Sequence, residues 1–290
     1  MTQTHTPHHG HSEHGHHPQH GSDSGQAEIL DLDAEVLAEH IAAIIQWLPL
    51  TSGPREIVDL ASGTGAGAFA LLDRFPEAHV VAVDASPGHL QRLREKACAL
   101  GLEDRVRTVQ ADLDHATWPD LGSPDLVWAS ASMHHMADPG QALRTVHDLL
   151  VPGGLFAVVE LAGFPRFLPE NAPADRPGLE ERVHAATDRF HAEHVPHRGA
   201  DWGPMLSGAG FDVEGELTVA VDIDGTGDAA IGRYALTSLQ RIRGAAAEAL
   251  SPEDLGALDR LLDTSGPHSI LRRDDLEVRT ERTVWAARRN

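Results

Sequence analysis

Residues 59–68 read Asp-Leu-Ala-Ser-Gly-Thr-Gly-Ala-Gly-Ala and join an apolar run at 56–60 to a helical pattern at 66–74. Glycines here let the backbone turn tightly and approach a ligand, while the free amides of the following helix face that ligand. In an open α/β sheet, ligands bind beyond the carboxyl ends of the strands. The turn therefore predicts both a fold class and the position of a binding site.

The sequence around this turn alternates between strand and helix patterns. Apolar runs rich in β-branched residues occur at 56–60, 79–83, 105–109, 125–129 and 155–161, with helical patterns between them at 66–74, 87–100 and 139–150. This order predicts an α/β fold with a doubly wound parallel sheet. Further strands are predicted at 211–221 and 277–287, and further helices near 179–194, 201–209, 228–249 and 252–263. The late strands could join the same sheet, which would leave the late helices as insertions over its binding edge.

Composition limits the partners. The chain has 44 acidic and 23 basic side chains and a formal charge of −21 over 290 residues, which predicts no nucleic-acid partner. No apolar run reaches the roughly 18 to 20 residues that span a bilayer, and no leader-like pattern opens the chain, so we expect a cytoplasmic protein without a membrane partner. The single cysteine, Cys98, excludes an internal disulfide framework and is expected to be buried in a helix.

Three aspartates follow three successive strands. Asp59 ends the first, Asp84 follows the second, and Asp112 lies just past the third. Asp84 is placed to bind the hydroxyl pair of a ribose. Asp112 can accept a hydrogen bond from an adenine amino group, although a lone aspartate there would more often cap a helix. Together, the three positions favour a nucleoside-containing ligand.

Asp59 bears on which nucleoside ligand is bound. A carboxylate beside the pyrophosphate of a dinucleotide would be repelled by about 4 kcal/mol for unit charges about 4 Å apart at an effective dielectric constant of 20. S-adenosylmethionine carries an ammonium and a sulfonium and no phosphate, so the same carboxylate would favour it. Asp59 could also simply cap the turn, which fits either ligand. A nicotinamide-dependent oxidoreductase stays an alternative, although the only tyrosine and the only lysine, Tyr234 and Lys96, form no plausible catalytic pair.

Five segments resemble motifs of the class I S-adenosylmethionine-dependent methyltransferases of the small-molecule type. They are Ile-Val-Asp-Leu-Ala-Ser-Gly-Thr-Gly at 57–65, Val-Ala-Val-Asp-Ala-Ser at 81–86, Gln-Ala-Asp at 110–112, the stretch 125–139, and Leu-Val-Pro-Gly-Gly at 150–154. The resemblance is strong over about residues 53–161. It implies a Rossmann-like seven-stranded sheet whose last strand is antiparallel, with S-adenosyl-L-methionine as cofactor. The cofactor-binding residues that it implies are Asp59, Ala61, Ser62, Gly63, Gly65, Asp84, Ala85, Ser86, Ala111, Asp112, Leu113 and Ala129. Ala61 stands where the family usually has its first glycine.

Composition, pattern and the resemblance together predict four regions. Residues 1–27, with eight histidines, are expected to form a disordered tail. Residues 28–52 are expected to form a lid helix, residues 53–163 the cofactor-binding core, and residues 164–290 the acceptor-side helical insertions, which complete the lid, together with the last two strands.

The predicted activity is methyl transfer to an oxygen, nitrogen or carbon atom of a small-molecule metabolite by in-line displacement. Such an enzyme must mainly hold the nucleophile against the methyl group and exclude water. His134 and His135 follow the fourth strand and are the catalytic candidates, since one could deprotonate an acceptor hydroxyl. Packing or orienting the loop is the favoured alternative role for this pair. A non-catalytic cofactor-binding subunit on the same scaffold is a further alternative.

Several residues on the acceptor side could have either of two roles. Glu160 could contact the acceptor or pair with Arg166. Five large apolar residues could line a pocket, although core packing is favoured for most of them: Phe164, Phe167, Phe190, Trp202 and Met205. His191 and His194 share a helical face that is interpreted as solvated, and no metal is predicted. The expected partner is a small-molecule methyl acceptor, and a homodimer is one assembly that the sequence leaves open.

Overall fold

The computed structural model describes residues 20–195 and 197–290, without the side chains of residues 20–24 and 190–194. Its described residues form one seven-stranded sheet in the order β3-β2-β1-β4-β5-β7-β6. The strands are β1 (Glu56–Leu60), β2 (His79–Asp84), β3 (Val106–Gln110), β4 (Leu126–Ser130), β5 (Leu155–Leu161), β6 (Phe211–Asp224) and β7 (Glu277–Arg289). Neighbours among β1 to β5 pair in parallel, and β7 runs antiparallel to both β5 and β6. The predicted doubly wound, Rossmann-like sheet with an antiparallel last strand is confirmed.

Helices cover this sheet on both faces. They are α1 (His20–Val36), α2 (Ala38–Trp47), α3 (Ala66–Arg74), α4 (Pro87–Leu100), α5 (Pro139–Leu149), α6 (Leu179–His194), α7 (Gly203–Gly208), α8 (Ala229–Ala246) and α9 (Pro252–Leu262), with short 3-10 helices at Met133–His135 and Ile270–Arg272. Side-chain caps fix where some of these helices begin. The Ser86 hydroxyl caps α4 and the Asp138 carboxylate caps α5, and a proline occupies the first turn of each.

The central strands are buried on both faces because alternate residues enter two apolar layers. On β4, Leu126 and Trp128 join one buried cluster, whereas Val127 and Ala129 join the other. Such strands read as continuous apolar runs, which is why the sequence predicts them well. Since the two layers fill both faces, the carboxyl ends of the strands remain as the edge at which a ligand can bind.

The amino-terminal region differs from the prediction. Helix α1 begins at His20, so residues 20–27, predicted to be disordered, are helical. The reason is tertiary: Ala27 is buried, and α1 packs against α8 and α4, contacts that the polar local sequence does not reveal. Residues 1–19, which carry most of the histidine-rich tail, lie outside the described residues.

Cys98 also differs from the prediction. It lies in α4 as expected but is exposed. The buried face of that helix includes Leu90, Leu93 and Ala97, and residue 98 points away from this face.

Of the helices that the structure describes, none combines the length and apolar character that a membrane crossing requires.

Candidate active site

A cavity of about 250 Å³ lies beyond the carboxyl ends of β1, β2 and β4. Of the residues predicted from sequence to bind a cofactor, those that line it are Asp59, Ala61, Ser62, Gly63 and Asp84. Helix α1 contributes Gln26, Leu30 and Asp33 to the opposite wall. The glycine turn therefore forms the floor of a pocket that α1 covers.

The turn after β1 has three residues in the left-handed backbone region. Ala61, Gly63 and Gly65 have φ angles of 51°, 55° and 96°. An alanine in this region is strained by about 1 kcal/mol or more, whereas glycine is not. At position 65 glycine is required for a second reason, since a Cβ there would lie 2.6 Å from the Phe69 ring and 2.9 Å from Leu93. The spacing of the glycines thus sets the shape of the pocket floor.

Asp84 joins the first two loops of the pocket. Its carboxylate is 8% exposed and accepts amide hydrogen bonds from Gly63 and Ser86, each at 2.8 Å. The His89 Nδ1 atom lies 3.3 Å from the same group. Burial acts to raise the pKa of Asp84, but the hydrogen bonds from His89, Ser86 and Gly63 together lower it below its usual value. Asp84 is therefore an ionised carboxylate that faces the cavity.

Asp59 is a buried carboxylate with an unused oxygen. The side chain is 2% exposed, and its Oδ2 atom has no hydrogen-bond partner among the described residues. Burial raises the pKa of Asp59 to about 8, against the lowering effect of an Ala68 amide hydrogen bond and with added repulsion from Asp84. A Cβ at Gly67 would lie 3.0 Å from this oxygen, so glycine leaves the space beside it open. An unpaired acidic oxygen at a cavity wall fits a cationic group such as the ammonium of S-adenosylmethionine.

The other predicted cofactor residues lie around the pocket rather than on its wall. Seven of the predicted cofactor residues are not among the described residues that line the 250 Å³ cavity. They are Gly65, Ala85, Ser86, Ala111, Asp112, Leu113 and Ala129. Asp112 is exposed two residues past β3, where it accepts a hydrogen bond from the Asp114 amide at 3.0 Å. The Ala111 amide donates to the Asp84 carbonyl at 3.1 Å, and Leu113 is buried. Leu113 and Ala129 belong to a buried apolar cluster. Contact of these seven residues with a cofactor stays a prediction.

A second cavity, of about 150 Å³, adjoins the first. The residues that line both cavities are Gln26, Leu30, Asp33, Ala131, His135 and Arg282. Beyond them the second cavity has apolar walls from Ile29, Leu161 and Pro165, and polar groups that include Arg198 and Arg241. Its contact with the glycine-turn pocket makes it the candidate acceptor cavity, and that name is used below.

The two adjacent histidines have different environments. His134 is 4% exposed, and its Nδ1 atom lies 2.5 Å from Glu160 Oε2, while its amide donates to Oε1 at 3.3 Å. His135 is exposed and lies between the two cavities, with its ring centroid 4.1 Å from that of His134. Glu160 thus pairs with His134 and not with Arg166, which pairs with Glu181 at 2.6 Å.

Helix α1 is fixed over the site by two polar clusters that the sequence did not reveal. Asp33 accepts hydrogen bonds from Arg282 at 2.7 and 2.8 Å and from the Tyr234 hydroxyl at 2.5 Å. Burial and the nearby Asp33 carboxylate raise the pKa of Tyr234 well above its usual value. Asp31 accepts from Thr64 at 2.5 Å and is paired with Arg92 and Lys96. The partners lie up to 249 positions apart, so no local pattern announces them.

The large apolar residues of the acceptor side mostly pack the core, as predicted. Phe167 and Trp202 are fully buried, and Met205 packs partly buried against a core cluster. Phe164 lines the candidate acceptor cavity. The side chain of Phe190 lies outside the described residues.

No group of three or more histidine, cysteine, aspartate or glutamate side chains in the described part of the chain is arranged to hold a metal ion. The side chains of His191 and His194 and the amino-terminal histidines fall outside that part, so the expectation of no metal stays a prediction.

Comparison with known proteins shows that the sequence is similar to methyltransferases. A family model for a methyltransferase domain matches residues 57–154. The demethylmenaquinone methyltransferase of Thermus thermophilus is 40% identical over 119 residues, which are 41% of this chain and 53% of the relative. The trans-aconitate 2-methyltransferase of Methylobacterium radiotolerans is 33% identical over 183 residues, 63% of this chain and 64% of the relative. The chain thus spans about half to two thirds of the length of these curated relatives.

Solved structures share the fold over most of the chain. A crystal structure from Bacillus halodurans C-125 superposes with a TM-score of 0.53 at 21% identity and covers 86% of this chain and 98% of its own. An O-methyltransferase family protein from Burkholderia thailandensis gives a TM-score of 0.51 at 18% identity, with 69% and 59% coverage. At these identities the likeness shows the common fold.

Proposed function

Because the chain belongs to the class I S-adenosylmethionine-dependent methyltransferases, we propose that it transfers a methyl group to an oxygen, nitrogen or carbon atom of a small-molecule acceptor by in-line displacement. One observation carries the proposal. The buried Asp59, whose Oδ2 atom is unpaired among the described residues, lines the same cavity as the ionised Asp84. The small-molecule names of the relatives, demethylmenaquinone and trans-aconitate, support the acceptor class.

The residues around the first cavity have distinct roles in holding the cofactor. When bound, S-adenosylmethionine supplies an electrophilic methyl group on a sulfonium. Asp84 keeps lone pairs beyond those used by Gly63 and Ser86 and would accept hydrogen bonds from ribose hydroxyls. Asp59 would accept a hydrogen bond from the ammonium, and Asp112 would contact the adenine from the rim.

His134 is the stronger candidate for a general base. If its Nδ1 atom donates to Glu160, the Nε2 atom is left as the proton acceptor, and the side chain lines the candidate acceptor cavity. Glu160 then acts as a positioning residue that fixes the tautomer and orientation of the ring. Base action of this kind contributes about 10²- to 10⁴-fold and is needed only for an acceptor that is protonated at working pH. His135, at the junction of the cavities, is placed to orient the acceptor.

Calorimetric titration with S-adenosylhomocysteine and NADH tests cofactor choice. We expect saturable binding of S-adenosylhomocysteine, and NADH binding without it would contradict the proposal. Asp84→Asn should weaken the affinity by about thirtyfold, because an amide nitrogen cannot accept a hydrogen bond from the Gly63 or Ser86 amide. Asp112→Asn is the comparison variant, since its exposed side chain predicts a loss of less than about tenfold.

Turnover separates an enzyme from a cofactor-binding subunit. The full chain is incubated with methyl-labelled S-adenosylmethionine and a small-molecule extract of bacterial cells, and the products are identified by mass spectrometry. A labelled small molecule supports the proposal. Cofactor binding without any labelled product would favour the non-catalytic alternative.

A further inference from the structure

Two arginines of the candidate acceptor cavity lack an acidic partner. Arg198 and Arg241 both line this cavity, and among the described residues neither forms an ion pair or a hydrogen bond with a carboxylate. Some other arginines of the chain are paired with acids. Arg282 and Arg288 each bind a carboxylate through two hydrogen bonds. Arg105 and Arg289 also lack a carboxylate partner within the described ranges, but they donate to backbone carbonyls. Arg198 and Arg241 differ from them because both line the same cavity.

We propose that the acceptor carries an oxyanion, a carboxylate or a phosphate, and that Arg198 and Arg241 bind it at the end of the cavity away from the cofactor. The inference rests on the proposed function and names the substrate class of that same site. Arginine suits this role because its planar fork of donors matches the geometry of both anions.

Arg198 is held in an orientation that favours anion binding. Its guanidinium carbon lies 3.7 Å from the centroid of the Phe164 ring. Stacking of this kind fixes the plane of the guanidinium and leaves its N–H edges free to donate. The Nε atom of Arg198 is buried without a hydrogen-bond partner in the described part of the chain. A buried donor without a partner is costly, and an anion in the cavity would satisfy it.

Electrostatics supports the same assignment. Burial lowers the pKa of Arg198, and the charge of Arg241 lowers it further, against the raising effects of Asp188 and Glu160. Arg241 is exposed, so solvent screens part of its charge. The two arginines still repel each other, and a bound anion would remove that repulsion.

The acidic groups near this cavity are already engaged or lie elsewhere. Asp33 is neutralised by Arg282 and the Tyr234 hydroxyl, and Glu160 is paired with His134. Asp188 and Glu281 line a different cavity, of about 530 Å³, which shares Phe164, Val195 and Arg198 with the acceptor cavity. The charge presented to a molecule inside the acceptor cavity is therefore positive at the wall that the two arginines form.

The position of the arginines separates the anchor from the reacting atom. The two cavities meet at six shared residues, and neither Arg198 nor Arg241 is among them. An acceptor bound in this way would present the atom that receives the methyl group at the junction, where His135 lies. The lining of the acceptor cavity also includes the apolar residues Ile29, Leu161 and Pro165. The acceptor is thus a molecule with an anionic end, an apolar body and a nucleophilic atom at the opposite end.

Small probes test the anchor without knowledge of the acceptor. The full chain is titrated with benzoate, phenyl phosphate and the neutral analogue benzamide, with and without saturating S-adenosylhomocysteine, and binding is followed by thermal shift. We expect at least one anion to bind and benzamide not to bind. Arg198→Gln and Arg241→Gln should each weaken anion binding by about tenfold or more. Arg243→Gln is the matched control. Arg243 lies on α8, as Arg241 does, but it does not line the cavity and pairs with Asp259 at 2.7 Å.

Each outcome decides a separate point. Binding of benzoate alone identifies a carboxylate anchor, and binding of phenyl phosphate alone identifies a phosphate anchor. The proposal is overturned if neither anion binds, if benzamide binds as well as the anions, or if Arg243→Gln has the same effect as the cavity variants. Failure of S-adenosylhomocysteine to bind would instead contradict the proposed function, while the titrations without it still report on the arginines.

Discussion

The cofactor pocket and the candidate acceptor cavity are adjacent, yet they are built in different ways. In the cofactor pocket, Asp84 binds amides only 21 and 2 residues away along the chain. Asp33, which lines both cavities, binds groups that lie 201 and 249 residues away. The floor of the cofactor pocket is thus formed by short loops after neighbouring strands, whereas the wall that it shares with the acceptor cavity is assembled from α1 and β7, and α8 is added on the acceptor side. We expect substitutions in the pocket loops to disturb the fold and cofactor binding together, and substitutions around the acceptor cavity to leave cofactor binding intact.

The largest effect is expected for Gly65→Ala in the pocket floor. The φ of 96° disfavours any side chain, and a Cβ would lie 2.6 Å from the Phe69 ring and 2.9 Å from Leu93. Backbone strain and overpacking together should lower the free energy of unfolding by about 3 kcal/mol. Denaturant titration measures this change, and calorimetry should show weaker S-adenosylhomocysteine binding.

Gly101→Ala is the matched control for backbone strain alone. Gly101 also has a left-handed φ, of 67°, but a Cβ there would meet nothing within 4 Å. This variant should lose only about 1 kcal/mol and keep its cofactor affinity. Equal losses for the two variants would show that close packing around Gly65 does not shape the pocket.

The contrast between the two sites also explains what the sequence could predict. Asp59 and Asp84 were predicted at the pocket because each lies at the carboxyl end of a strand that is visible as an apolar run, and parallel strand ends meet at one edge. Asp33, Tyr234 and Arg282 could not be brought together, because their contact depends on how distant helices pack on the sheet. The helical state of residues 20–27 was missed for the same reason, since it follows from packing against α8 rather than from local propensity.

A smaller effect is expected from the titration of Asp59. Its pKa of about 8 lies above the unfolded value of 3.8, so the folded ligand-free protein keeps a proton that the unfolded chain has lost between these values. The contribution of Asp59 to stability therefore falls as pH rises from about 4 to about 8. Binding of an ammonium group requires the ionised carboxylate and releases this proton. The affinity for S-adenosylhomocysteine should therefore rise about tenfold from pH 6 to pH 7 and level off above pH 8.

Asp59→Asn tests both parts of this linkage. The variant has no proton to release, so its weaker affinity should be nearly flat over the same pH range. Its ligand-free melting temperature should increase relative to the parent protein as the pH rises toward 8, because the amide avoids a buried negative charge. A parent affinity that does not vary with pH would place the ammonium away from Asp59.

The smallest effect is expected for Tyr234→Phe on the acceptor side. The hydroxyl donates to Asp33 at 2.5 Å, and Asp33 keeps its two hydrogen bonds to Arg282 when the hydroxyl is removed. The loss should be about 1 kcal/mol, or about 2 to 4 °C in melting temperature for a chain of this size. Because α1 stays attached to the glycine turn through Asp31 and Thr64, the further stabilisation produced by S-adenosylhomocysteine should be unchanged. If that increment falls together with the melting temperature, then the two sites are coupled through α1 and the division between them does not hold.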